Sequence, residues 1–418
     1  MVILLKKATI IDPRSKFHGK KQDILIEKGI ITKIAASISS KKAKLVDAKN
    51  LHVSPGWVDI GVHTGEPGLE HRDVLATTLE TASAGGYTRI AIFSNDANPI
   101  DQASTISFIK DRSSNSPVHC HAIGALSQKL QGEEITELID MHHAGAIGFS
   151  DGLHSIQKAG LLERGLHYVK AVDSLVVHRP NDKTLSLHSQ MHEGTVSTSL
   201  GVPGMPDIAE SIMIDRDIEI LKYTDSKMLI HLVSSQKGIQ HLKKEKKVLE
   251  DKLFASVSYH NLIETDESLS DFDVNRKLSP PLRTQSDKSA LIKAVESDLI
   301  DIICSNHVPI EIEGKEKEFI YADKGALGLQ TCAISLLEIL DANKVVEKLA
   351  INPRKIFNLP EAKIEKGAIA ELSIWASKTE FEFTQTKNKS LSRNTPFFGR
   401  SYGHQVIGIV SQGKLVTP

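Results

Sequence analysis

One theme recurs through the middle of the chain and limits what it can fold into. A short apolar, β-rich run ends in a polar or ionisable residue, and a longer stretch of helical character follows. The runs are VSPGWVDIGVH (53–63), TRIAIFSN (88–95), PVHCHAIGA (117–125), AIGFSD (146–151), SLVVHRP (174–180), KMLIHLVSS (227–235), LFASVSYH (253–260) and LIDIICSNH (299–307). Their apolar character is largely continuous, as in strands buried on both faces of a parallel sheet. Between them lie helical patterns such as IAESIMIDRDIEILKYT after Pro206 and SALIKAVES after SDK. Eight such units over roughly 300 residues predict an α/β fold with a (β/α)8 barrel. The competing open, doubly wound sheet is disfavoured, because no glycine-rich dinucleotide fingerprint accompanies the strands.

The flanks read differently. Residues 1–52 form short strands and turns (VILLKKATIID, KQDILIEKGIITKIAA), and so does the tail from 360 to 418 (KGAIAELSIWA, SYGHQVIGIVSQGKLV). Neither end is long enough to bury a core alone, so the two are expected to pack as one small β-sandwich domain, with the barrel (53–359) inserted between them. The length of 418 residues suits a barrel plus such a companion.

Lys+Arg 51 against Asp+Glu 52 gives a net charge of -1, with no pull toward nucleic acid or an anionic membrane. Three cysteines are too few for a disulfide framework. The N-terminal apolar run meets Lys6 and Lys7 at once, unlike a signal peptide, and no stretch is long enough to span a bilayer. A cytoplasmic protein is expected.

Barrel enzymes place reacting groups at the C-terminal ends of their strands. Here those ends carry Asp59, His63, Asn95, Asp151, His178, His231, His260, Asn306 and His307. A lone histidine there is most often structural. Several arriving from different strands are the way a metal site is assembled.

The segment PGWVDIGVHTGEPGLEHRDVLATTLETASAGGYTRIAIFSNDANPI resembles the start of the dihydroorotase barrel, in the amidohydrolase superfamily. GAIGFSDG, MHEGTVSTSLGVPGMP, IHLVSS, KLSPPLRT, GALGLQT, INPRKIF and NTPFFG continue the likeness to about residue 400, in the family's order. The resemblance implies the barrel, the composite β domain, and descent from a hydrolase that interconverts N-carbamoyl-L-aspartate and dihydroorotate.

Against that family pattern, several positions depart. Gly61 stands where the first of two metal-binding histidines belongs, with His63 in place of the second. Gly65 replaces a carboxylate-clamping arginine. Where two successive aspartates end the fourth strand, this chain has Asp151 and Gly152, and either aligns with the bridging ligand. Asn306 replaces the aspartate that ligates metal and shuttles the proton, and a carboxamide accepts no proton at useful pH. Ile310 replaces a substrate-holding histidine, and Ser279 an asparagine.

His178 and His231 match the ligands of the second metal, and Asn95 matches a substrate contact. His260 and His307 match no ligand position and are expected to line the pocket. Two states of the site stay open: one zinc ion held by His178, His231 and Asp151, or no metal at all.

The resemblance implies a protein of pyrimidine biosynthesis that is inactive or strongly impaired. Inactive homologues in the family act as scaffolds for aspartate transcarbamoylase, so that enzyme is the expected partner, and a homo-oligomer the expected state. Two alternatives are an active single-zinc amidohydrolase, on dihydroorotate or another cyclic amide, and a small-molecule binder using Asn95 and Arg283.

Overall fold

In a computed structural model that describes residues 1–418, each of the eight apolar runs contains a strand, and the strands pair side by side in chain order. They are Trp57–Val62, Tyr87–Ile92, His119–Gly124, Ala146–Phe149, Val176–His178, Met228–Ile230, Leu253–Ser258 and Ile302–Cys304, and every pairing between neighbours is parallel. A parallel bridge between Val62 and His307 joins the last strand's end to the first. The His63 N–H donates to the His307 carbonyl at 2.8 Å, and the Cys304 thiol donates to the Ile60 carbonyl at 2.8 Å.

Side chains that alternate along a strand point to opposite faces, and here each face has its own core. Val58, Ile60, Ala91, Phe93, Ile123, Val177, Leu229, Ile302 and Cys304 fill the barrel interior. Their neighbours Trp57, Val62, Ile90, Ile92, Ala122 and Val176 join the larger core between strands and helices. The helices begin where the sequence signals them. In Gln285–Glu296 the Thr284 hydroxyl caps the Asp287 N–H while Asp287 reaches back to the Thr284 N–H. Ile208–Thr224 covers the segment expected after Pro206.

The two chain ends build one sheet. Its strands run in the order Lys414–Val416, Arg400–Ser411, Leu372–Phe383, Leu51–Pro55, Val2–Ile10, Lys21–Glu27 and Ile30–Ala35, with Lys44–Val46 beside Val2–Ile10. Leu372–Ala376 pairs antiparallel with Leu51–Pro55, tying the tail to the start of the chain. The first strand changes partner along its length, from Lys44–Val46 at Ile3–Leu5 to His52–Val53 at Thr9–Ile10. Such a switch lets a sheet wrap around its own apolar core, here Ile3, Leu5, Ile24, Ile26, Val53 and Ile374 among others.

The chain passes from this sheet into the barrel at Gly56, where a β-carbon would lie 2.2 Å from the Thr88 hydroxyl oxygen. Trp57 of the barrel and Trp375 of the sheet pack with ring centroids 5.5 Å apart. Beside them a buried ion network crosses the junction: Glu371 accepts from Arg89 Nε at 2.8 Å and Nη2 at 2.9 Å, from Thr88, and from Arg354. No helix is long and apolar enough to cross a membrane.

Candidate functional site at the barrel mouth

His63, His178, His231 and Asn306 arrive at the C-terminal ends of the first, fifth, sixth and eighth strands, where the sequence places them. The surroundings of each decide what it can do. His178 is buried, and both ring nitrogens are in use. Nε2 accepts the Ile156 N–H at 2.9 Å, so the ring proton sits on Nδ1, which donates to Asp217 at 2.5 Å. Asp217 is held in turn by Arg216. No lone pair on His178 is left for a metal.

Asp151 is held by the loop after the third strand. Its carboxylate accepts the Leu126 N–H at 2.9 Å, the Ser127 N–H at 2.8 Å and the Ser127 hydroxyl. Gly152, with φ +58°, is the residue that faces the site: a β-carbon there would lie 3.5 Å from His63 Cε1. Asp151, expected as a candidate ligand, instead caps the loop after the third strand.

His63 and His231 share one apolar neighbour, Phe93, with ring centroids at 5.5 and 5.2 Å. His231 Nδ1 is hydrogen-bonded to the Ser256 hydroxyl at 2.9 Å. Burial holds both imidazoles neutral, with Arg179 adding to the effect: His63 is lowered to about 4 and His231 to about 3. A β-carbon on Gly61 would lie 3.1 Å from Cys304 Cβ and 3.5 Å from His231 Cε1, a tight fit that a shift of a few tenths of an ångström would relieve.

The loop after the first strand has closed over the position of the clamp. A β-carbon on Gly65 would meet the Leu69 carbonyl oxygen at 2.0 Å and that of Asp73 at 2.5 Å. Asn95, expected to contact substrate, pins this loop instead. Its amide donates to the Gly65 and Pro67 carbonyls at 3.1 and 2.9 Å, and its oxygen accepts the Ala97 and Asn98 N–H groups. The space beside His63 is a cavity of about 40 Å³, with room for little more than a water molecule.

Asn306, at φ +47°, donates to the Ser279 carbonyl at 3.2 Å. Ile310 is buried, its N–H bonded to Asn394. His260 and His307 do not line the mouth as expected. His260 is fully buried and stacked on Phe397, and His307 accepts the Gly328 N–H at the barrel seam. Arg283, considered for ligand binding, is buried between Ser234, His192 and Glu210.

Zinc would need several free donors aimed at one point. No group of three or more histidine, cysteine, aspartate or glutamate side chains is so arranged. The residues do not fit the expected ion, because His178 and Asp151 are fully engaged elsewhere and Phe93 lies against the two remaining imidazoles.

A larger cavity of about 290 Å³ opens at the mouth, and the sequence reading missed the side chains that dominate it. They are Arg179, directly after His178, and Lys324; Ser279, already singled out in the sequence, and the Asp96–His154 pair at 2.5 Å also line it. The only available signal was Arg179 next to the end of the SLVVHRP run, the one arginine among the residues that close these runs.

Residues 51–238 match the family model described as dihydro-orotase-like. A dihydroorotase of Syntrophus aciditrophicus is 32% identical over 100% of this chain and 99% of its own length, and one of Pelotomaculum thermopropionicum is 34% identical over 96% and 95%. The chain belongs to the dihydroorotase family. Among solved structures, an L-hydantoinase from Arthrobacter aurescens superposes with TM-score 0.85 at 22% identity, over 99% of this chain and 96% of that one. A dihydropyrimidinase from Brevibacillus agri does so with TM-score 0.81 at 15% identity, over 100% and 95%. These likenesses show the same fold, the (β/α)8 barrel with its companion sheet.

Proposed function

We propose that this dihydroorotase-family protein serves pyrimidine biosynthesis without hydrolysing a cyclic amide, as a scaffold for aspartate transcarbamoylase. One observation supports the loss of hydrolysis: loop backbone fills the space at Gly65, and the ligand candidates Asp151 and His178 are bonded to backbone N–H groups. Removing one member of a cooperative catalytic set costs about 10³–10⁶ in rate, and here ligand, shuttle and clamp are missing together.

The scaffold role rests on family behaviour, and its support here is a fold kept whole around a closed site. Purified protein with added zinc is expected to show no turnover of dihydroorotate or N-carbamoyl-L-aspartate. Turnover on the order of one per second would end the reading. Native purification is expected to bring down aspartate transcarbamoylase, and a chain recovered free of it would remove the scaffold role. About one zinc per chain, with hydrolysis of a cyclic amide abolished by His178→Ala, would establish the single-zinc amidohydrolase instead.

A further inference from the structure

We propose that the cavity between Arg179 and Lys324 is a metal-independent site for a small oxyanion, a carboxylate or a phosphate monoester. Two cationic side chains line one cavity, and neither makes a salt bridge; the one carboxylate whose charge reaches Arg179, Glu210, is bonded to Ser234, Ser235 and Arg283. Arg179 Nη1 donates to the Ser279 hydroxyl at 2.6 Å, while its Nε is buried with no partner. Lys324 Nζ donates to the Ser189 carbonyl at 2.6 Å. The only carboxylate lining the cavity, Asp96, is held by His154 at 2.5 Å with most of its side chain in solvent.

Placing two half-buried cations in one cavity without an ion pair is unfavourable, and a ligand that neutralises them relieves it. The strain registers on both groups. Burial lowers Arg179 to about 10 and Lys324 to about 8, with the charge of Arg179 adding to the effect on Lys324. A guanidinium presents a planar fork suited to an oxyanion, and the ammonium supplies a second donor. Asn181, Ser186 and Gln190 add polar groups around the cavity, and Met191, Met205 and Leu278 give it an apolar wall. A ligand with an anionic head and a short carbon body fits about 290 Å³.

This inference rests on the mouth being non-catalytic, yet the two fail separately: zinc-dependent turnover tests that reading, and binding in EDTA tests this one. Titration calorimetry in EDTA, with sodium phosphate and with sodium succinate against sodium chloride at equal ionic strength, is expected to show saturable binding of at least one probe. Preference for phosphate assigns a phosphate monoester, and preference for succinate a carboxylate. Arg179→Gln is expected to weaken binding at least tenfold and Lys324→Gln severalfold.

The ligand-free melting temperature of both variants should equal or exceed the native value, because repulsion between the cations is relieved. A merely structural role for either residue would lower it. If Arg179→Gln does not fold, Lys324→Gln decides alone, since its side chain meets the protein at one carbonyl. Failure of both probes to bind, binding unchanged in the folded variants, or binding that requires zinc would each overturn the proposal.

Discussion

A β-carbon on Gly65 would meet two carbonyl oxygens, at 2.0 and 2.5 Å, whereas one on Gly152 would make ordinary contacts of 3.5 Å and beyond. The two glycines therefore differ in kind. Gly65→Ala must move backbone and is expected to destabilise by about 1–3 kcal/mol or more. Gly152→Ala meets only the resistance of a left-handed backbone, about 1 kcal/mol. Urea unfolding of the two variants checks the order, and equal midpoints would mean that the loop over Gly65 opens readily. The same contrast predicts that Asn306→Asp restores no turnover in zinc, alone or with Gly61→His. A base returned to the eighth strand finds no clamp, no bridging carboxylate and no free His178. Any zinc-dependent hydrolysis by that double variant would show the closed mouth to be reversible.

At the scale of the strand ends, the inherited polar groups have become fastenings. Asp151 joins the ends of the third and fourth strands through two backbone N–H groups and a hydroxyl, and Asp217 of helix Ile208–Thr224 orients His178 on the fifth. Asp151→Ala leaves two buried N–H groups unpartnered and is expected to cost about 2–4 kcal/mol of stability. Because the role is structural, zinc should not change that difference, and denaturation with zinc and with EDTA measures it. A native chain stabilised markedly by zinc, and an Asp151→Ala chain that is not, would make Asp151 a ligand after all.

Across the whole molecule, stability should depend on pH through two sets of buried groups. Burial lowers His63 to about 4 and His231, His260 and His307 to about 3, from 6.5. Between pH 6.5 and about 4 the unfolded chain binds protons at these positions and the folded chain does not. Stability therefore falls as the pH drops through that window, by up to about 1.4 kcal/mol per pH unit per histidine. Glu371 acts at lower pH. Burial raises it, but Arg354 and Arg89 outweigh burial and hold it at about 2, from 4.5. Its contribution is complete above 4.5 and is lost as the pH falls through about 2. Urea midpoints of EDTA-treated protein from pH 7 to 4 check the histidine part, and a flat profile would refute it. Glu371→Gln, which leaves Arg89 and Arg354 buried without their partner, is expected to cost about 3–5 kcal/mol at neutral pH.

Periodicity and composition alone determined the barrel, because a strand buried on both faces must be apolar throughout and a covering helix must be amphipathic. They also placed His63, His178, His231 and Asn306 at the strand ends, since those positions follow from where each apolar run stops. Only the folded chain decided what these groups do. Whether Asp151 faces a metal or a loop, whether Asn95 meets a substrate or the Gly65 carbonyl, and whether His178 keeps a free lone pair are matters of a few ångströms between residues remote in sequence. The meeting of Arg179 with Lys324 was equally hidden. A charge is written in the sequence, but that the two meet in one cavity without an ion pair belongs to the packing of strands and loops that the sequence does not place next to one another.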